Sequence, residues 1–118
     1  MKIHLVNSFL FLACYLFNTT AVAQSSDERF SQKLEQSSLP QHEKMMLEER
    51  RKFLRESSRL ETLARRGAPE LYVELGDLYY KPSQFQDRNK ALEYYQKAQQ
   101  LNVMGVNAKI EKLKQEIQ

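Results

Sequence analysis

Few side chains in this sequence are of the types that carry out catalysis or hold metal ions. Cysteine occurs once, as Cys14, and the histidine that a processed chain would keep is His42, close to the expected start of a helix. The carboxylates are interspersed with lysines and arginines, and no glycine-rich stretch that could cradle a phosphate is present. We therefore expect no catalytic residue, no metal site and no cofactor, and we expect that the protein is not an enzyme.

The first 23 residues have the pattern of a secretory signal peptide. Lys2 supplies a positive start, Phe9 to Phe17 is an uninterrupted apolar run, and Ala21-Val22-Ala23 is a small-x-small end. The apolar run is well short of the ~20 residues that a membrane-spanning helix needs. The pattern predicts cleavage between Ala23 and Gln24, a periplasmic or secreted location, and no transmembrane span in the mature chain.

Two alternatives to cleavage stay open for this leader. It could be retained as an uncleaved anchor. The stretch Leu12-Ala13-Cys14 also loosely resembles a lipobox, which would make the protein a lipoprotein attached through Cys14. Cleavage near Ala23 would instead remove the only cysteine and leave a mature chain without disulfides.

The two segments that follow the leader differ in pattern. Residues 24–38 are polar and serine-rich, which predicts a flexible linker. Residues 39–67 predict one long amphipathic helix, because Met46, Phe53 and Leu60 recur every seven residues and form an apolar stripe. This stripe could pair with a second copy of the chain, giving a homodimer, or dock on a larger protein.

The same helix is strongly basic. Residues 44–66 contain eight basic and four acidic side chains, and Arg51, Arg55 and Arg59 form a basic face at four-residue spacing. Such a face favours an acidic protein, an anionic surface or nucleic acid as partner. Nucleic acid is disfavoured because an exported protein rarely meets it. The alternative is a solvated face with ion pairs between helix turns and no partner.

The segment 68–118 predicts a helical hairpin followed by a shorter capping helix. Leu71, Leu75 and Leu78 lie on one face of the first helix, and Asp87 is a candidate N-cap for the second. The last helix is expected from about Asn107. Three small residues predict close contact between the hairpin helices, and they are Gly76, Ala91 and Ala98.

A family resemblance rests on these hairpin residues. Tyr72-x2-Leu75-Gly76-x2-Tyr79, then Ala91-x3-Tyr95, is similar to the tetratricopeptide repeat pattern. Leu75-Gly76-x2-Tyr79-Tyr80, then Asp87-x2-Lys90-Ala91-x2-Tyr94-Tyr95-x-Lys97-Ala98, resembles the longer Sel-like repeat, although residues 81–85 replace its turn glycines. The resemblance covers a single repeat at about 68–101. It implies that the repeat is packed by Tyr72, Leu75, Gly76, Tyr79, Ala91, Tyr95 and Ala98.

The implied fold is all-α, with an antiparallel hairpin of tetratricopeptide or Sel-like type flanked by the long N-terminal helix and the capping helix. An ordinary amphipathic hairpin with a tyrosine-rich core is the alternative. In such repeats the first helix lines a peptide-binding groove. Carried onto this chain, the partner-binding positions are Val73, Asp77, Tyr80 and Lys81, although all four could simply be exposed.

Two functional hypotheses follow from these patterns. The first is an exported protein–protein interaction module that uses the groove face of its repeat and acts as an adaptor or assembly factor, with a protein of the cell envelope as partner. The second is a structural helical protein that works through the basic helix 44–66. It would pair as a coiled coil or bind anionic surfaces.

Overall fold

The computed structural model describes residues 25–118, and within this range the chain is helical with no β-strand. The expectation of an all-α fold is confirmed. The predicted signal peptide and Cys14 lie outside the described residues. The five helices are α1 (Ser26–Glu35), α2 (Gln41–Arg65), α3 (Leu71–Tyr80), α4 (Arg88–Gln100) and α5 (Asn107–Ile117). The chain divides into two compact units, with the boundary between Met46 and Leu47.

Helix α1 occupies the segment in which the sequence predicts a flexible linker. The hydroxyl of Ser25 accepts a hydrogen bond from the Glu28 N–H at 3.3 Å, which caps the first turn. Asp27 and Glu28 lie in the first turn and Lys33 in the last, so that each charge opposes the adjacent end of the helix dipole. Capping and charge placement therefore favour a helix despite the low apolar content.

Helix α2 begins just after a proline and ends at a glycine. The carbonyl of Pro40 accepts hydrogen bonds from the N–H groups of Glu43 and Lys44, both at 3.1 Å. At the other end Gly67 has φ 127°, and the Ala68 N–H donates to the Leu63 carbonyl at 3.2 Å. Helices often end in this way, with one residue of positive φ just after the last turn and a hydrogen bond that closes the helix behind it. Glycine adopts a positive φ without strain, which explains its presence at position 67.

Helices α3 and α4 form an antiparallel hairpin, as the sequence predicts. The Asp87 N–H at the start of α4 donates to the Tyr79 carbonyl near the end of α3 at 2.8 Å. The ammonium of Lys97, near the end of α4, lies 5.6 Å from the ring centroid of Tyr72 at the start of α3. Asp87 is the N-cap of α4, as expected from the sequence. Its carboxylate accepts a hydrogen bond from the Lys90 N–H at 3.0 Å.

The two hairpin helices approach most closely around Gly76. The ring of Tyr95 lies against this glycine, and no β-carbon could be accommodated there without a shift of the ring. Ala91 and Ala98, one turn to either side of Tyr95, are fully buried. The small residues therefore let the helices touch, although the contact partner of Gly76 is a tyrosine and not an alanine.

The core of the 47–118 unit draws on four helices. Leu60 and Ala64 of α2 and Ile110 and Leu113 of α5 are buried together with the hairpin residues. The ring of Phe53 also packs edge-on against Tyr79, with centroids 5.2 Å apart. The apolar stripe of α2 is thus used within the chain from Phe53 onward. The expectation that the stripe pairs with a second chain stays a prediction.

Candidate functional site

Asp77 is one of the predicted partner-binding residues, and it joins three helices. Its Oδ1 accepts a hydrogen bond from the Tyr95 hydroxyl of α4 at 2.5 Å. The same oxygen accepts from the ammonium of Lys109 of α5 at 2.8 Å. The carboxylate is exposed but already has two partners within the chain, so its main role is to position neighbouring side chains.

Tyr80 also contacts α5. Its hydroxyl donates to Oε1 of Glu116 at 2.9 Å, and the ammonium of Lys112 lies 5.8 Å from its ring centroid. Tyr80 is half-buried and packs against the core on one side. Its side chain is nevertheless partly exposed, and an aromatic ring at a surface is a common anchor in protein recognition.

The other two predicted residues lie on the same side of α3 but differ in exposure. Val73 is half-buried and packs against the core, so it contributes mainly to packing. Lys81 has an exposed side chain, while its backbone N–H donates to the Asp77 carbonyl at 3.0 Å and closes the last turn of α3. The structure therefore brings together Asp77 and Tyr80, with Lys81 at the edge.

A small cleft lies where this face of α3 meets α4 and α5. Its volume is about 90 Å³, and it is lined by Tyr80, Tyr95, Lys109, Lys112 and Leu113. A water molecule occupies ≈ 30 Å³ in the liquid, so the cleft has room for the tip of one side chain. Phenol rings, two ammonium groups and a leucine would offer such a tip both apolar and polar contacts. Three of the five lining residues, Lys109, Lys112 and Leu113, belong to α5.

The surroundings of Tyr95 keep its phenol neutral. Burial raises the pKa of Tyr95 well above its usual range, and the hydrogen bond to Asp77 adds to the effect. Tyr95 therefore remains a hydrogen-bond donor at any physiological pH. A phenol in this state is suited to positioning and recognition, and unsuited to acting as a nucleophile or base.

Sequence reasoning missed the contribution of α5 to this site. Lys109, Lys112 and Glu116 are spaced three and four residues apart, so they lie on one side of α5, beside the buried Ile110 and Leu113. The spacing could have revealed a charged strip next to an apolar one. It could not have shown that the strip contacts α3, because that contact depends on the packing of α5 against the hairpin.

The predicted basic face lies on the side of α2 that is opposite to its buried residues. Ser57, Leu60 and Ala64 are buried, whereas Arg55 and Arg59 are exposed. Arg59 is paired with Glu56 of the preceding turn through bonds of 3.1 and 2.8 Å. This hydrogen bond lowers the pKa of Glu56. Arg51 and Arg55 also have interaction partners in the described part of the chain.

Two further properties of residues 25–118 concern metals and membranes. Within this range no three histidine, cysteine, aspartate or glutamate side chains are grouped so that they could hold a metal ion. None of the helices formed by the same residues has the length and apolar character needed to cross a bilayer. His42 is exposed in the first turn of α2.

The fold and the cleft define the class of this protein as a small all-α protein organised around a tyrosine-rich antiparallel hairpin. Comparisons with protein-family models, with curated proteins and with solved structures found no match. The similarity to tetratricopeptide and Sel-like repeats therefore remains a similarity of the residue pattern.

Proposed function

We propose that this protein is a protein–protein interaction module that is exported to the periplasm or secreted and acts as an adaptor or assembly factor. The observation that carries the proposal is the cleft beside α3. There Tyr80, which the sequence singles out as a recognition residue, lies next to Lys112 and Leu113. The partner would be a protein of the cell envelope.

The composition of the cleft favours recognition of a protein segment. Tyrosine offers a large rigid surface at a low cost in conformational entropy, and a nearby ammonium adds a positive charge that can donate hydrogen bonds. Tyr80 and Tyr95 provide the rings, Lys109 and Lys112 provide the charges, and Leu113 provides an apolar wall. A segment that inserts one side chain here could extend along the exposed end of α3 toward Lys81.

The rigidity of the hairpin also supports a binding role. Asp77 is held by Tyr95 and Lys109, and Tyr80 is held by Glu116, so the cleft is formed before any partner arrives. Preorganised surfaces lose less entropy when they bind. No catalytic step is part of this proposal.

The coiled-coil version of the second hypothesis has less support. Leu60 and Ala64 are 3% and 4% exposed, which leaves this part of the apolar stripe unable to pair with a second helix. Met46, before the stripe becomes buried, is still 53% exposed. Any pairing of α2 would therefore have to use apolar residues other than Leu60 and Ala64.

Site-specific photocrosslinking in the native host tests the proposal. A photoreactive amino acid at Lys81, beside the cleft, should capture a defined protein partner. The same amino acid at Glu93, an exposed position of α4, is the matched control and should capture none. Adding Tyr80→Ala to the Lys81 probe should strongly reduce capture, whereas Tyr80→Phe, which keeps the ring, should largely preserve it.

The outcomes of this experiment separate clearly. Capture that is specific to position 81 and depends on the ring of Tyr80 supports the proposal. Equal capture from positions 81 and 93, or capture that is unchanged by Tyr80→Ala, would overturn it. Circular dichroism of each variant, compared with the unsubstituted protein, shows that a loss of capture is not a loss of fold.

A further inference from the structure

The ionised side chains that line the cleft beside α3 have the same sign of charge. Among the residues that the structure describes, the lining consists of Tyr80, Tyr95, Lys109, Lys112 and Leu113, so both ionised groups are ammoniums. The two lysines are three residues apart on α5, which places them on the same side of that helix. A bound group therefore meets positive charge from α5 and aromatic rings from α3 and α4.

The two ammonium groups differ in whether the chain already neutralises them. Lys109 donates to Oδ1 of Asp77 at 2.8 Å, so its charge is compensated by a carboxylate of the same chain. Lys112 lies over the ring of Tyr80, 5.8 Å from the ring centroid. Within residues 25–118 no carboxylate forms an ion pair with Lys112. Its ammonium is thus the lining group that an incoming anion could neutralise.

The hydrogen-bonding groups of the cleft favour a ligand that accepts hydrogen bonds. The hydroxyl of Tyr95 already donates to Asp77, and that of Tyr80 already donates to Glu116. The donors that remain are lysine N–H groups, because an ammonium has three of them. A carboxylate can accept from these donors and also brings the complementary charge. An ammonium or guanidinium ligand would be repelled by both lysines.

The uncharged part of the lining favours a carboxylate that is carried on methylene groups. Leu113 is 1% exposed and forms an apolar wall, and the rings of Tyr80 and Tyr95 add aromatic surface. A bare anion such as phosphate could not use this surface. The methylenes of a glutamate side chain could pack against it and leave the water.

We propose that the cleft binds the carboxylate of a glutamate side chain in an acidic segment of the partner protein. The proposal rests on the interaction-module function and names the chemistry that this function recognises. The carboxylate accepts hydrogen bonds from Lys112, with Lys109 beside it, while the methylenes contact Leu113. Lys81 is exposed at the end of α3, next to Tyr80, so a second acidic residue of the segment can pair with it.

Selection from a peptide library tests which chemistry the cleft prefers. Random peptides displayed at the N-terminus of a phage coat protein are selected on the purified protein, and the enriched sequences are compared with the starting library. These peptides have no free C-terminus, so a carboxylate that binds is that of a side chain. The expected result is an excess of glutamate at one position. Enrichment without such an excess, or no enrichment, would overturn the proposal.

Charge reversal at Lys112 shows whether the cleft causes the preference. When the selection is repeated on the Lys112→Glu variant, the excess of glutamate should give way to an excess of lysine or arginine. Lys114→Glu is the matched control, because position 114 is also exposed on α5 but does not line the cleft. It makes the same change in net charge and should keep the preference for glutamate. An equal effect of both variants would contradict the proposal.

The affinity of one selected peptide measures the contact itself. Lys112→Gln should weaken its binding about two- to fivefold, because ion pairs of exposed side chains contribute little. A peptide with glutamine in place of the glutamate should lose little further affinity on Lys112→Gln. Equal weakening of both peptides would mean that Lys112 does not contact that carboxylate, contrary to the proposal. Circular dichroism of each variant shows that its fold is retained.

Photocrosslinking from position 81 separates a failure of this proposal from a failure of the interaction function. Specific capture of a partner, together with selected peptides that show no preference for glutamate, would refute the carboxylate proposal alone. The absence of specific capture would refute the interaction function and, with it, the proposal that rests on it. Specific capture together with a glutamate preference that depends on Lys112 supports both.

Discussion

The ring of Tyr95 lies directly against Gly76, so the middle of α4 rests on the middle of α3. A β-carbon at position 76 would overlap Cδ1 and Cε1 of this ring and would lie 3.0 Å from Cζ. A glycine inside a helix costs roughly 1 kcal/mol relative to alanine. Here the absence of a side chain at position 76 permits the closest approach between the hairpin helices. The same approach positions Tyr95, which lines the cleft.

The first prediction concerns this contact. Gly76→Ala should destabilise the protein by about 1–3 kcal/mol, the usual cost of an overpacked core, even though alanine has the higher helix propensity. Urea denaturation followed by circular dichroism measures the change. The control is the same substitution in a Tyr95→Leu variant. Without the ring, Gly76→Ala should lower the free energy of unfolding much less. Stabilisation of the otherwise unchanged protein by Gly76→Ala would show that the contact is not tight.

The second prediction compares the two hydrogen bonds that Asp77 accepts. Tyr95 is 2% exposed, whereas the side chains of Lys109 and Asp77 are 44% and 47% exposed. Because exposed ion pairs contribute little, the coupling energy between Asp77 and Lys109 should be about 0.2–1 kcal/mol and should decrease with salt. The coupling between Asp77 and Tyr95 should be larger, about 1.5 kcal/mol, and nearly independent of salt.

Double-mutant cycles measure both couplings. Asp77→Ala is combined with Tyr95→Phe in one cycle and with Lys109→Met in the other, at 0.05 and 1 M NaCl. Lys114→Met is the matched control for Lys109, because Lys114 lies on the same helix and contacts Glu111 instead, at 3.8 Å. A coupling of Asp77 with Lys109 that equals or exceeds that with Tyr95 would refute the expected ranking.

The third prediction is a loss of stability in alkali. Burial raises the pKa of Tyr95, with the Asp77 hydrogen bond as a second cause, and burial likewise raises that of Tyr94. In the unfolded chain both phenols should titrate near their ordinary pKa of about 10. Above that pH the unfolded state has released protons that the folded state retains, so the free energy of unfolding falls as pH rises.

Urea denaturation at pH 8 and pH 10.5 tests this dependence. The contribution should be fully present at pH 8 and decline above about pH 10, toward the raised pKa values of the folded state. Tyr95→Phe removes one titrating group and should flatten the decline. An identical pH dependence in the Tyr95→Phe variant would mean that other groups cause the alkaline loss.

The local features of the hairpin could be predicted from the sequence. The N-cap at Asp87 and the start of the last helix at Asn107 are both present as expected. Each depends on the residue's own type and on neighbours within one helical turn. Short-range rules of propensity and capping are therefore sufficient to place them.

Contacts between distant segments could not be predicted in this way. Tyr80 and Glu116 are 36 residues apart and form a hydrogen bond only because α5 packs against α4 beside the end of α3. Helix periodicity shows which residues share a face, but it does not show which face of another helix they meet. The cleft depends on such a meeting, so only one of its residues, Tyr80, was singled out from the sequence as part of a binding site.

The fourth prediction concerns another distant contact, between the hairpin loop and α2. Phe85, in the loop between α3 and α4, stacks on Phe53 with ring centroids 4.5 Å apart. Beside it, the amide of Gln84 donates to Glu49 at 2.8 Å. Such aromatic pairs contribute ≈ 0.5–1.5 kcal/mol beyond the burial of area, so Phe85→Ala should release the loop from α2.

Hydrogen exchange is the sensitive measurement, because a local opening precedes global unfolding. In the Phe85→Ala variant the Asp87 amide, which donates to the Tyr79 carbonyl at 2.8 Å, should exchange at least several-fold faster than in the unsubstituted protein. Amides in the middle of α4 should change less. Gln84→Ala removes an exposed contact and is the control with a small expected effect. Uniform acceleration throughout α4 would mean that the ring supports the whole hairpin and not the loop alone.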